Sequence, residues 1–412
     1  MYFFYYLPIG INTRVRRLPV MTSAYAAICV AVFILLKYLP DVLSYDLYNL
    51  IYVPEGGGPV SAMASAFLHL GYAHLIGNLI YLTFFGRYVE DRMGPVLFAV
   101  VFLTSAGLGS YFQGLFNTRV FDDPYTGIIG ASGAISGLLG AFTVRFVRSK
   151  LRVAYWVFFP LQAYTRAGRA EIPCILAIAF WFVLQMARGV AQLDGATAHV
   201  AYVAHLTGFV WGGLLAVAFG QYREGSIESM LEKGHHYMRK SEPYAAQGAY
   251  ITYLTQRSDD ARAYASLARA MVLSGNTEGA SKNYRRACEM LIDQGQRGET
   301  EAIYVEALRG DAQFTLSSEY HLDLAFGLER NLKPKVAVRA YENFGRDYPL
   351  HSEAAFALLR AAGLYRHTLS DPDKAALYYR RIADAYPEDQ WVDFAVEQLR
   401  LIDCQRAAGD AA

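Results

Sequence analysis

The sequence predicts an all-α protein in two parts: a polytopic bundle of six transmembrane helices, followed by a soluble domain of α-helical repeats. The chain has 412 residues, more than one ordinary domain, and 54% of them are hydrophobic. Long apolar runs fill the chain up to about residue 220, whereas charged residues recur every few positions beyond it. Because the first pattern suits lipid and the second suits water, the main domain boundary is expected there.

Six stretches approach the roughly 20 apolar residues that a helix needs to cross a bilayer. Their predicted limits are residues 20–39, 71–85, 95–116, 127–146, 172–190 and 198–219, and a half-apolar segment from residue 61 precedes the second. A Gly94-Pro95 break separates the second stretch from the third. The predicted domains are a short N-terminal segment (1–19), the bundle (20–220), a linker (221–242), the repeat domain (243–407) and a tail (408–412).

Basic residues in the connections predict the orientation of the bundle. They precede the first span, follow the second, and lie between the fourth and fifth: Arg14, Arg16 and Arg17; Arg87 and Arg92; Arg145, Arg148, Lys150, Arg152, Arg166 and Arg169. The alternate connections are poor in positive charge. The N-terminus is therefore expected in the cytoplasm, and an even number of spans returns the C-terminal half to the same side. The N-terminal apolar stretch has neither a basic region before it nor a cleavage site after it, so a removable signal peptide is not expected.

Charge and cysteine usage exclude several classes of protein. The chain has 38 basic and 37 acidic residues, so no global field favours nucleic acid. The four cysteines are scattered without a CxxC pair, which argues against a disulfide framework or a zinc site. They are Cys29, Cys174, Cys288 and Cys404. We interpret them as reduced packing residues.

The second half of the chain predicts paired amphipathic helices. Small and aromatic residues recur at helical spacing in a pattern that resembles the hairpins of the tetratricopeptide repeat (TPR). The three copies are Leu267, Ala268, Met271, Gly275, Ala280, Tyr284 and Ala287; Leu324, Ala325, Leu328, Ala337, Tyr341, Phe344 and Pro349; and Gly363, Ala375, Tyr379, Ile382 and Pro387. Small residues let two helices approach while Tyr or Phe fills the gap to the next hairpin. The alternative is an irregular helical domain with alanines at the helix crossings.

Ser132 lies in Gly130-Ala131-Ser132-Gly133, at the head of the fourth apolar span. Glycine on both sides removes Cβ bulk, so a substrate backbone can approach the hydroxyl. If the helix begins here, its N–H groups and positive dipole end point to where an oxyanion would form. The alternative is a packing role, which is common for small residues in membrane helices. Ser136, one turn further on, is interpreted as such a packing residue.

His205 is at the centre of the last apolar span. Ala201, His205, Gly208 and Gly212 recur at intervals of four, three and four residues, so they share one face of a helix. A face of small residues lets this helix press against another and brings the imidazole within reach of a facing hydroxyl. A neutral imidazole there can take the serine proton as a general base. The alternative is a buried histidine that is satisfied by a carbonyl.

His74 and Asn78 are four residues apart in the second span and therefore share a helix face. They can aim two polar groups at one point, as the donors of an oxyanion site do. His69, His74 and His205 could instead bind a metal. The spans contain no HExxH pair, however, and no acidic residue lies beside these histidines, which argues against a metalloprotease.

Together these motifs resemble the rhomboid family of intramembrane serine proteases. The matching parts are His74 with Asn78, Gly130-Ala131-Ser132-Gly133 as the family's GxSG, and Ala204-His205-Leu206-Thr207-Gly208 as its AHxxG. They occur in the family's order, on the second, fourth and sixth of six spans. The charged stretch 86–94 also looks like that of many bacterial members. The resemblance covers residues 61–219 well and the first span more loosely.

The resemblance implies that Ser132 is the nucleophile and His205 its base, in a dyad without an acidic third member. His74, Asn78 and the Ser132 backbone N–H would form the oxyanion hole, with Gly130 in the same substrate-binding region. The substrate would be a transmembrane segment of another protein in the lipid bilayer, cut through an acyl-enzyme near the extracytoplasmic side. No metal or organic cofactor is required. The implied location is the bacterial inner (plasma) membrane, with both termini cytoplasmic.

Two other functions are alternatives to this one. A catalytically silent rhomboid-like scaffold would bind membrane clients and use its repeats, but an inactive member is expected to have lost Ser132 or His205, and both are present. A transporter would normally carry carboxylates within its spans, and the central parts of these spans have none. The repeat domain is expected to bind a peptide or helix of a cytoplasmic protein on its concave face.

Overall fold

The computed structural model describes residues 3–13, 15–38, 49–159, 164–193 and 201–410. These residues form sixteen α-helices and one three-stranded sheet. The chain divides into two compact units, Met1–Ser229 and Met230–Ala412. The predicted fold class, a membrane bundle followed by a helical-repeat domain, is confirmed.

The first unit contains the six apolar helical segments that the sequence predicts. Its helices are α1 (Val20–Tyr38), the short α2 (Pro59–Ala64), α3 (Tyr72–Phe121), α4 (Ser132–Arg145), α5 (Cys174–Leu193), α6 (Tyr202–Ala218) and the start of α7 (Gln221–Arg239). Gly94 has a left-handed φ of 79° and breaks α3 into two arms, 72–93 and 95–121, so α3 provides two predicted spans. The predicted limits at residues 39 and 198 lie outside the described residues.

Length and composition alone identify fewer membrane spans among the described residues. Two helices, α1 and α3, are long and apolar enough to cross a membrane, or three if α6 and α7, bent by 73° at their junction, form one span. The helix α4 has only 14 residues because it begins inside the bundle, at Ser132. Large apolar side chains point outward from the bundle, with Val20, Val96 and Leu214 exposed by 64%, 77% and 58%. Such exposed apolar surface suits contact with lipid.

A three-stranded antiparallel sheet was not predicted. Its strands are β1 (Phe3–Ile11), β2 (Lys150–Phe159) and β3 (Tyr164–Pro173), in the order β1-β2-β3. Ile11 pairs with Leu151, and Lys150 pairs with Pro173. Leu151 and Val153 are both 3% exposed, whereas Arg152 between them is exposed. This two-residue alternation is the strand signal that reading the segment as a basic connection overlooked.

Two buried carboxylates at the end of the first arm of α3 hold the start of the chain. Glu90 accepts hydrogen bonds from the backbone N–H groups of Met21 and Thr22, both at 2.8 Å, and from the Thr22 hydroxyl at 2.7 Å. It therefore caps the N-terminus of α1 from another helix. Asp91 accepts from the N–H groups of Arg16 and Arg17, each at 2.7 Å.

Glu228 on α7 joins the same end of the bundle. It forms ion pairs with Arg92, at the end of the first arm of α3, and with Arg145, the last residue of α4, at 3.4 and 3.0 Å. Arg145 is 4% exposed. The part of α7 that belongs to the first unit is therefore joined by ion pairs to α3 and to α4, two of the three helices that carry predicted site residues.

The second unit is built from consecutive helices that pack against each other. They are α8 (Pro243–Leu254), α9 (Ala261–Leu273), α10 (Thr277–Asp293), α11 (Arg297–Gly310), α12 (Ser318–Arg330), α13 (Pro334–Asp347), α14 (Ala354–His367), α15 (Pro372–Ala385) and α16 (Val392–Asp410). Most of the predicted repeat positions are buried; Ala268, Ala325 and Tyr341, for example, are completely inaccessible. The alternation of small and aromatic residues therefore does form the shared core between hairpins.

Candidate active site

Glycines bring α4 and α6 into backbone contact. A Cβ atom on Gly208 would lie 2.1 Å from the carbonyl oxygen of Gly133, and one on Gly212 would lie 1.9 Å from that of Gly137. Only residues without a Cβ fit at this separation. The small-residue face predicted for α6 is therefore a true contact face, and it fixes α4 and α6 side by side.

Ser132 and His205 line one cavity between these elements. Ser132 is the first residue of α4, and His205 lies in the first turn of α6. The cavity has a volume of about 690 Å³, and His74 also lines it. The Ser136 hydroxyl donates a hydrogen bond to the Ser132 carbonyl at 2.8 Å, and Ser136 is only 3% exposed. Ser136 therefore belongs to the packed interior of the bundle. The structure thus brings three of the predicted residues to one space.

Gly130 closes the site on the side of α3. Its φ of 113° lies in the left-handed region, and a Cβ atom there would be 2.6 and 2.7 Å from Cε1 and Nε2 of the His74 ring. The Asn78 amide nitrogen would be 3.8 Å from the same point. Glycine is therefore required at this position both by the backbone and by the imidazole. His74, Asn78 and the Gly130 backbone converge just before the start of α4.

The start of α4 is suited to an anion. The residue before Ser132, Ala131, is the N-cap and has no polar side chain that can bond to the N–H groups of the first turn. Such groups carry the positive end of the helix dipole.

A family model described as "Rhomboid domain" matches residues 58–222, which include all five predicted site residues. Residues 58–222 form a rhomboid domain. Members of this family are integral membrane proteins, and so is this chain.

Curated relatives of the rhomboid domain include proteins described as proteases and one described as inactive. "Rhomboid protease GlpG" of Klebsiella pneumoniae is 29% identical over 199 residues, which cover 48% of this chain and 62% of that protein. "Inactive RHOMBOID-like protein 8" of Arabidopsis thaliana is 37% identical over 79 residues, covering 19% of this chain and 21% of that protein. The chain spans less than two thirds of the length of the curated relatives it matches.

One solved structure, described as "YrrB: a TPR protein with an unusual peptide-binding site", is 15% identical to this chain. It covers 41% of this chain and 90% of its own, with a TM-score of 0.21.

His69 orients one of the predicted donors of the rhomboid domain. It is 6% exposed, and its Nε2 lies 3.0 Å from the Asn78 amide nitrogen, which donates to it. Its ring also packs edge-on against the His74 ring, with 5.1 Å between centroids. By sequence, His69 stands out only as a possible metal ligand. Its spacing of nine residues from Asn78 gives no periodic signal, because His69 lies before the helix begins.

Gln113 was missed by sequence reasoning. Its side-chain oxygen accepts hydrogen bonds from the backbone N–H groups of Val203 and Ala204, at 3.0 and 3.2 Å. The N-cap residue of α6, Ala201, has no polar side chain, so Gln113 caps this helix from the second arm of α3. Gln113 is 3% exposed and lines the cavity. The available signal was the one side-chain amide in the predicted span 95–116.

Proposed function

We propose that this chain is an intramembrane serine endopeptidase that cleaves transmembrane segments of other membrane proteins. The observation that carries the proposal is the cavity shared by Ser132, His205 and His74 inside a rhomboid domain. A hydroxyl, an imidazole and polar donors beside one cavity are the parts that acyl transfer requires.

Each group has a step to perform. His205 takes the proton of the Ser132 hydroxyl as the oxygen attacks a peptide carbonyl, and a tetrahedral oxyanion forms. His205 then gives that proton to the leaving amine as the C–N bond breaks, which leaves an acyl-enzyme on Ser132. Water, deprotonated by His205, attacks the ester and releases the new carboxylate and the free serine.

The oxyanion is assigned to the space beside Gly130. The His74 ring and the Asn78 amide approach that point, and the first backbone N–H groups of α4 add the positive end of the helix dipole. Donors fixed in a site with little water stabilise a developing charge more than water does, because they do not need to reorient. Removing one such donor typically costs about 2.7–4 kcal/mol of transition-state stabilisation.

The proposed substrates are transmembrane segments in the lipid bilayer, cut near the extracytoplasmic side. The proposed location is the bacterial inner membrane, with both termini cytoplasmic, in keeping with the basic residues of the first unit. The TPR-like repeat domain is proposed to bind a cytoplasmic protein segment. That role rests on the helical-repeat architecture alone.

The test uses the full chain in liposomes with a transmembrane reporter, together with labelling by a fluorophosphonate that reacts with activated serines. We expect Ser132→Ala and His205→Ala to abolish cleavage, and Ser132→Ala to abolish labelling. The matched control is Ser136→Ala, which removes a buried hydroxyl from the same helix one turn away and is expected to retain both activities. Equal cleavage by the unmodified chain and Ser132→Ala would refute the nucleophile assignment.

A silent scaffold is the second candidate, because one curated relative is described as inactive. This function predicts a different result from the same experiment. The unmodified chain would bind a reporter segment but would neither cleave it nor react with the fluorophosphonate.

A further inference from the structure

The active-site cavity has a charged wall. Asp123 lines it, and it is the one acidic residue among the described residues that do so; within that set no lysine or arginine lines the cavity. Asp123 lies in the loop between α3 and α4, which leads directly to Gly130 and Ser132. The proposed mechanism uses no carboxylate, so this side chain has no role in the steps given above.

The carboxylate is held in place by its own loop. Its Oδ1 accepts hydrogen bonds from the backbone N–H groups of Tyr125 and Thr126, at 3.1 and 3.0 Å, and the Thr126 hydroxyl donates to Oδ2. The loop is anchored in turn, because the Pro124 carbonyl accepts from the Glu55 N–H at 2.9 Å. The Thr126 hydroxyl, followed by the backbone donors, lowers the pKa of Asp123. The group is therefore a fixed anion at neutral pH.

We propose that Asp123 is a specificity-determining residue that pairs with a lysine or arginine of the substrate, within a few residues of the scissile bond. This inference rests on the proposed protease function and names the class of substrate segment that the site prefers. Each carboxylate oxygen still has lone-pair capacity beyond its loop hydrogen bonds, and a cationic side chain in the cavity can use it.

The position of the charge makes such a preference effective. A cleft lined by one sign of charge with apolar walls concentrates the field and raises the local concentration of the opposite charge. Membrane proteins carry few Lys or Arg residues on the extracytoplasmic side of their spans. A requirement for a cation there would therefore select a minority of possible clients.

The experiment is a charge swap between enzyme and substrate. Single Lys, Gln or Glu residues are placed in turn at each position flanking the scissile bond of a transmembrane reporter, and kcat/KM is measured with the full chain in liposomes. At one or two positions we expect kcat/KM to fall in the order Lys, Gln, Glu, with a difference of about tenfold between Lys and Glu, which is typical of electrostatic steering in a cleft. Asp123→Asn should remove the order, and Asp123→Lys should reverse it.

Two controls separate specificity from loop structure. Asp123→Asn keeps an Oδ1 that can accept from the Tyr125 and Thr126 N–H groups, so the loop retains its main anchors. Asp122→Asn removes a neighbouring charge that is exposed and does not line the cavity, and Asn tolerates its φ of 56°. This second variant should keep the full preference for Lys.

Three results would decide against the inference. It is overturned if the unmodified chain cleaves the reporters without regard to charge, or if Asp123→Asn slows all reporters equally and preserves their order. In both cases the protease function still stands. If the unmodified chain cleaves none of the reporters and does not react with the fluorophosphonate, the proposed function fails and the inference fails with it.

Discussion

The cap that Gln113 provides for α6 allows a quantitative prediction. Gln113→Leu keeps much of the side-chain volume but removes the acceptor for the N–H groups of Val203 and Ala204. Loss of an N-cap costs about 0.5–2 kcal/mol, and a buried donor left without a partner costs about 1–3 kcal/mol. Ala204 is 4% exposed and the helix has no polar N-cap of its own. Both figures describe the same loss of acceptor, so they are not added, and we expect the free energy of unfolding to fall by about 1–3 kcal/mol.

The same substitution should affect chemistry, because the residue after Ala204 is His205. Fraying of the first turn of α6 displaces the imidazole, so the rate of fluorophosphonate labelling should fall at temperatures where Gln113→Leu is still folded. Unfolding of the detergent-solubilised full chain by heat or denaturant gives the stability, and the labelling rate gives the effect on the site.

Two variants test the explanation itself. Gln113→Glu retains an acceptor and places a negative charge at the positive end of α6, so it should restore most of the stability. Thr104→Val removes another hydrogen bond to α6, the one from the Trp211 indole at 2.9 Å, but far along the helix from its N-terminus. It should lower stability without slowing labelling of the folded protein. The reasoning is refuted if Gln113→Leu matches the unmodified chain, or if Gln113→Glu is as damaging as Gln113→Leu.

Two further predictions concern packing and pH. Gly212→Ala places a Cβ atom 1.9 Å from the Gly137 carbonyl and should lower stability by about 1–3 kcal/mol or more, whereas Gly213→Ala, whose nearest neighbour would be 3.8 Å away, should have little effect in the same thermal unfolding assay. In the repeat domain, His321 is fully buried; its Nε2 donates to the Ala340 carbonyl, and its Nδ1 accepts from the Leu316 N–H. Because burial disfavours the charged imidazolium, the pKa of His321 is lowered from 6.5 to about 4. As the pH falls from 6.5 towards 4, the unfolded chain binds a proton at His321 before the folded domain does. The free energy of unfolding of this domain should therefore drop by up to about 1.4 kcal/mol per pH unit. Equal hydrogen-exchange protection of residues 318–347 at pH 7 and pH 5, after correction for intrinsic exchange rates, would contradict this.

The sequence predicts contacts that depend on local periodicity and misses those that depend on tertiary geometry. Gly208 and Gly212 share a face by spacing alone, so their contact with another helix was predictable. Gln113 lies 90 residues from Val203, and nothing in its own span indicates which helix end it caps. The strand β2 was missed for a different reason. Its alternation is short, and two of its exposed positions, Lys150 and Arg152, are basic, so the segment resembles a basic connection more than a strand.

The cap that Glu90 provides for α1 has a consequence for biosynthesis. The amide groups of Met21 and Thr22 leave the ribosome 69 and 68 residues before the carboxylate that accepts them. Until the first arm of α3 has been synthesised and inserted, the N–H groups at the beginning of α1 have no acceptor from that arm. The first helix therefore enters the bilayer unfinished, and its native end is completed only when the next long hydrophobic segment arrives beside it. A nascent chain arrested before residue 90 should thus hold an α1 whose first turn lacks its mature hydrogen-bond acceptor.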